Sequence, residues 1–183
     1  MKSTQDWLSN LKLRLSYGVS GNNNIPSGQT SRTYSIKESS WLHLQNSWLT
    51  TGNAMSNPDL KWETTHSLNL GIDFGFFNNK LNGSFEVYKN NVKDLLMEMQ
   101  ITGSGYNTQY QNVGETKNSG FELTLNYDAI NTKNYGLNFS FTLGHNTNEV
   151  VSLGSMDSYS KPSYWASTEI GSDYLVKPGK PVG

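Results

Sequence analysis

The sequence lacks cysteine altogether, which excludes disulfide bonds and thiolate metal sites from its 183 residues. The three histidines, His43, His66 and His145, are scattered and do not have the spacing of metal ligands. The sequence also lacks an excess of charge of either sign. Its formal net charge is −1, so it does not show the basic character of proteins that bind nucleic acid. We therefore expect no metal site, no cofactor and no nucleic-acid partner.

Long apolar runs are missing as well. No segment approaches the ~18 consecutive apolar residues of a membrane-spanning helix. The hydrophobic fraction is 34% and the mean hydropathy is −0.60, values that remain compatible with a membrane β-barrel because its strands are half polar. The first ten residues lack the apolar core of a signal peptide, so we expect an exported parent protein to carry its signal upstream.

What the sequence does contain is alternation of apolar and polar residues, most clearly at residues 64–89. Side chains change face at every residue of a strand, so this period of two predicts two long strands. Asn78 and Asn79 lie between them and tolerate the positive φ angles of a tight hairpin. The apolar face of the pair comprises His66, Leu68, Leu70, Ile72, Phe74, Phe76, Leu81, Phe85 and Val87.

Three further segments alternate in the same way, at residues 11–19, 120–128 and 135–144. The polar face of the first carries Lys12 and Arg14, so that face cannot be buried in hydrocarbon or in a dry core. The pattern predicts an all-β fold, an antiparallel meander of long strands.

The connections between these strands are of two kinds. Tight turns are expected at about residues 77–80 and 130–134, and long polar loops at about 20–61, 90–117 and 145–175. Outer-membrane barrels have this asymmetry, with short periplasmic turns and long outer loops. Aromatic residues gather near the tight-turn end, as an interfacial girdle would: Phe76, Phe77, Tyr127 and Tyr135.

About five long strands cannot close a barrel, because the smallest barrels have about eight. An open edge in lipid would leave backbone groups unpaired. We therefore expect residues 1–183 to be a single incomplete segment of a larger barrel. The alternative on pattern alone is a soluble β-sandwich that binds carbohydrate, in which a second sheet would cover the apolar face.

Several blocks of the sequence, in order, resemble the barrel region of SusC/RagA-type TonB-dependent transporters. The resemblance covers nearly the whole chain. The blocks are LRLSYGVSGNNNI at Leu13–Ile25, NPDLKWETT at Asn57–Thr65, LNLGIDFGFFNNKLNGSFEVYKNNVKDLL at Leu68–Leu96, NVGETKNSGFELTL at Asn112–Leu125, and the closing KPGKPVG.

This resemblance implies a 22-stranded barrel in the outer membrane of a Gram-negative bacterium, with an N-terminal plug, energy from the TonB complex and a SusD-like lipoprotein as lid. Such complexes import glycans or oligopeptides. The plug domain is absent from this sequence, so we expect a fragment that contacts outer-membrane lipid but transports nothing alone. A second alternative is an adhesin-like or structural barrel that does not import.

Aromatic residues of the loops are the candidates for ligand binding, because sugar rings pack well on aromatic faces and loops often carry function. Trp62 precedes Glu63 where a long loop enters a strand, and there the competing interpretation is an interfacial anchor with a loop hydrogen bond. The candidates are Trp41, Trp48, Trp62, Tyr164 and Trp165.

Charged residues of the polar face are candidates for contacts with the lumen or the plug: Arg14, Asp73, Glu86, Glu122 and Asp128. A catalytic interpretation would make Glu86 and Glu122 an acid/base pair. A polar lumen requires such residues in any case, and no nucleophile motif accompanies them. We expect no enzyme.

Overall fold

The computed structural model describes residues 7–32, 34–38, 47–51, 54–103, 106–161 and 174–182, with side chains left out at 34–38, 47–51 and 161. All regular structure in these ranges is β. The strands are β1 (Leu8–Asn22), β2 (Tyr34–Glu38), β3 (Ser47–Thr51), β4 (Ala54–Met55), β5 (Glu63–Phe76), β6 (Leu81–Gln100), β7 (Thr108–Asn131), β8 (Gly136–Ser152), β9 (Tyr159–Lys161) and β10 (Tyr174–Val176). The described residues contain no helix long and apolar enough to cross a membrane.

Five long strands form an antiparallel meander in the order β1-β5-β6-β7-β8. The short β4 pairs in parallel with the start of β7, and β2–β3 and β9–β10 form separate two-stranded sheets. The long strands contain 14 to 24 residues, more than the ~9–11 needed to cross a bilayer. The predicted all-β meander of long strands is confirmed.

The register places the apolar residues in transverse rows on one face, which we call the outer face. One such row joins Leu15, Leu70, Val87, Phe121 and His145 across the five strands. These side chains are largely uncovered: Leu15 is 75% exposed and Leu70 43%. Within the described residues only Val150 and Leu153 are buried apolar side chains. The cover that a soluble sandwich requires is therefore absent from the described part of the chain.

The tight-turn end is closed by two short connections. Phe77, Asn78 and Asn79 all have positive φ angles of 53–60°, and the Lys80 amide donates to the carbonyl of Phe77 at 3.2 Å. The second turn comprises residues 132–135, where the Thr132 amide donates to the carbonyl of Tyr135 at 2.8 Å. This turn lies one to two residues later than the expected 130–134, because backbone pairing persists to Asn131.

The opposite end differs from the expected long loops. The predicted excursion at 90–117 is mostly strand, because β6 continues to Gln100 and β7 starts at Thr108. The extension of β6 was not predicted because the alternation breaks off after Val92, although Met97 and Met99 alternate with Glu98 and Gln100 further along the strand. A bulge interrupts the ladder between Val92 and Leu96, where Asp94 has a φ of 56°.

Candidate functional site

The inner face, opposite the apolar rows, carries an ion-pair cluster that joins three strands. The Arg14 guanidinium on β1 donates to both carboxylate oxygens of Asp73 on β5, at 2.9 and 2.8 Å, and to Glu86 on β6. Gly71 lies between them in the register, opposite both Arg14 and Glu86. A Cβ at Gly71 would lie 3.0 Å from Cζ and Nη2 of Arg14, so the missing side chain lets the guanidinium cross β5.

The remaining charged candidates lie on the same face but do not join this cluster. Glu122 is opposite Glu86 in the register, exposed, and without an ion pair among the described residues. Asp128 lies nearer the tight turns, where it accepts a hydrogen bond from Nδ2 of Asn138 at 2.7 Å. The structure thus joins three of the five predicted residues, places Glu122 beside them and leaves Asp128 apart.

Amide and hydroxyl groups cross-link the rest of the inner face. Asn126 donates to Asn82 at 3.3 Å and accepts from the Ser140 hydroxyl at 2.9 Å, which links β6, β7 and β8. The Tyr88 hydroxyl passes over Gly120, 2.6 Å from where a Cβ would be, and donates to Asn146 at 3.1 Å. Such a surface offers donors and acceptors to a polar partner.

At the loop end, the segment around NPDLKWE is held by three polar side chains. Glu63 accepts from the Leu96 amide at 2.9 Å and from Nδ2 of Asn22 at 2.7 Å, so its carboxylate bridges β6 and β1. Asn112 accepts from the Lys61 amide at 2.9 Å and donates to the Lys61 carbonyl at 2.9 Å. Asn57 donates to the Tyr110 carbonyl at 2.9 Å and accepts from the Asp59 amide at 3.1 Å.

Sequence reasoning missed two of these three residues. The Asn-Pro-Asp triplet at 57–59 is a recognisable signal for an Asx turn, which is what Asn57 forms with the Asp59 amide. Nothing local distinguishes Asn112 from the other asparagines of the chain. Its role depends on β7 lying beside the loop that precedes β5.

The Trp62 indole lies against Gly21, where a Cβ would be 2.8 Å from Cε3 of the ring. The register puts Gly21 opposite Thr64 on the outer face, so Trp62 lies outside the wall, not in the lumen. The ring remains 62% exposed and borders a cavity of about 280 Å³ shared with Asn23 and Gln29. Of the other aromatic candidates, Trp48 lies in β3 with its side chain outside the description, and Trp41, Tyr164 and Trp165 lie outside the described residues.

Long antiparallel strands with an uncovered apolar face and a cross-linked polar face define one class of structure, a section of a membrane β-barrel wall. The sequence profile described as "TonB dependent receptor-like, beta-barrel" matches residues 4–178. The chain belongs to this family.

Similar proteins agree with this assignment. The chain is 35% identical to TonB-dependent receptor P26 of Formosa agariphila over 84% of its own length and 16% of that protein. It is 31% identical to TonB-dependent receptor SusC of Bacteroides thetaiotaomicron over 96% of its length and 17% of that protein. The solved structure of the RagAB peptide transporter matches with a TM-score of 0.79 and 28% identity, covering 96% of this chain and 18% of that one. The chain thus spans less than a fifth of these relatives.

Proposed function

We propose that this chain is a single incomplete segment, residues 1–183, of the barrel wall of a TonB-dependent importer in the outer membrane of a Gram-negative bacterium. The observation that carries the proposal is the uncovered apolar face, which continues across all five long strands and needs a lipid environment. Similarity to RagAB, a peptide transporter, supports import as the activity of the full-length protein.

The partners follow from the same family. Outer-membrane lipid contacts the apolar face, a SusD-like lipoprotein covers the loop end, and the TonB complex acts through a part of the receptor outside this chain. The cargo is a glycan or an oligopeptide. The full-length protein is a transporter and not an enzyme.

On the inner face, we assign contacts with the plug or the lumen to Arg14, Asp73, Glu86, Glu122 and Asp128. Three of them form a cluster in which two carboxylates outnumber one guanidinium, so the cluster has a net negative charge. Glu122 adds a further carboxylate beside it. Ligand contacts are assigned to the loop aromatics Trp41, Trp48, Tyr164 and Trp165, whereas the outer-face position of Trp62 favours the competing interpretation as an interfacial anchor.

The test measures uptake by cells that carry the full-length receptor. Fluorescent oligopeptides and fluorescent glycans are supplied in parallel to cells with the receptor, to cells without it and to cells without TonB. We expect one class of cargo to accumulate only when both receptor and TonB are present. Uptake of neither class, or a receptor absent from the outer-membrane fraction, would overturn the proposal.

A separate measurement addresses the chain by itself. Liposomes that contain only these 183 residues should show no ligand flux, because five long strands leave backbone edges unpaired in lipid. Detectable flux would contradict the assignment as a segment of a larger barrel.

A further inference from the structure

On the outer face, lysines begin immediately where the apolar rows end towards the loops. The last apolar row contains Leu70 and Val87. Two residues further along β6, Lys89 lies opposite Leu68. Four residues beyond Lys89, on the same face, Lys93 lies opposite Thr64. On β7, Lys117 lies opposite Asn91. We call Lys89, Lys93 and Lys117 the lysine rim.

No lysine of the rim forms an ion pair within the described part of the chain. Both ion pairs found there belong to Arg14 on the other face. Glu149 on β8 lies opposite Lys117, and Glu115 precedes Lys117 by two residues on β7, but neither carboxylate forms an ion pair with a rim lysine in the described residues. On the other side, β1 contains no acidic residue and the two carboxylates of β5, Glu63 and Asp73, are engaged elsewhere.

The height of the rim matches that of lipid headgroups. Two residues of a tilted strand rise roughly 5 Å, so the backbone of Lys89 lies about 5 Å above the last apolar row. Lysine stems lie along apolar surface while their ammonium groups extend to the polar layer. The rim is at the loop end, which in outer-membrane barrels faces outward.

We propose that the lysine rim binds the phosphate groups of lipids in the outward-facing leaflet and so fixes the height of this part of the wall. The inference rests on the proposed outer-membrane location. It differs from generic contact with lipid tails because it requires phosphate at one defined row of the sheet.

The test compares two lipids that differ only in phosphate: diphosphorylated lipid A and its dephosphorylated form. The purified full-length receptor is titrated with each, and bound lipid is counted by native mass spectrometry. Juxtamembrane lysines contribute about fivefold each to binding of anionic lipid, so K89Q/K117Q should weaken binding of the phosphorylated lipid about 25-fold. Binding of the dephosphorylated lipid should stay unchanged.

K12Q/K133Q is the matched control, since it removes the same charge from the inner face and from the tight turn at the opposite end. This control should bind both lipids as the unmodified receptor does. Equal weakening by the two double variants, no weakening by either, or displacement of the lipid by millimolar inorganic phosphate would overturn the inference. Because the receptor's presence in the outer membrane is measured separately, failure of the rim is distinguishable from failure of the proposed function.

Discussion

The assignment of the outer face to lipid makes a sharp prediction at Leu70. Leu70 lies on β5, 43% exposed, in the last apolar row before the lysine rim, and the middle of the apolar band lies between the rows of Phe74 and Ile72. An arginine facing the bilayer midplane costs about 2–4 kcal/mol and about 0–1 near the interface. One row corresponds to roughly 5 Å of depth for a tilted strand. Leu70 lies between these two depths, so we expect Leu70→Arg to destabilise the full-length barrel by about 1–2 kcal/mol.

The adjacent residue provides the control. Asn69 has the same depth but points to the inner face, opposite Ser16 and Tyr88. Asn69→Arg therefore adds the same charge without exposing it to lipid and should shift stability by less than about 0.5 kcal/mol.

The assay measures the urea concentration at the midpoint of folding of the full-length receptor into vesicles. Folding is monitored by the shift in gel mobility of the folded barrel. The reasoning requires a lower midpoint for Leu70→Arg and an almost unchanged one for Asn69→Arg. Equal shifts for the two variants would refute the claim that the faces of β5 meet different solvents.

Two further substitutions test the inner face and the loop end in the same assay. Gly71→Val should cost about 1–2 kcal/mol, because the new side chain displaces the Arg14 guanidinium from its path across β5; Gly18→Val, where a Cβ meets nothing within 4 Å, should be almost neutral. A similar loss for both would show that strand propensity, not the ion-pair cluster, is being measured. Glu63→Gln should cost about 1–3 kcal/mol because it weakens two hydrogen bonds to the carboxylate, whereas Glu98→Gln, which breaks no ion pair of the described residues, should cost under about 0.5 kcal/mol. Indistinguishable midpoints for this pair would remove Glu63 from the set of residues that hold the loop end.

The sequence predicts which residues of the candidate site share the polar face, but it does not predict which of them contact one another. The alternation put Arg14, Asp73 and Glu86 on the polar face, and that placement agrees with the structure. The ion pairs among these three residues could not be predicted, because they depend on Gly71 leaving space for the Arg14 guanidinium. The extent of β6 and β7 was also missed, since the bulge between Val92 and Leu96 breaks the alternation of β6 and polar residues predominate at the start of β7.

The sequence by itself determined which face each strand residue occupies and therefore that one side of the sheet is apolar and the other polar. This information is local, because consecutive side chains of a strand alternate. Tertiary structure alone decided which residues are neighbours across strands. Arg14 meets Asp73 and Glu86 from 59 and 72 residues away. Their meeting requires a register that turns and bulges set over the whole length of each hairpin, and a single-residue slip would have moved every one of these side chains to the opposite face.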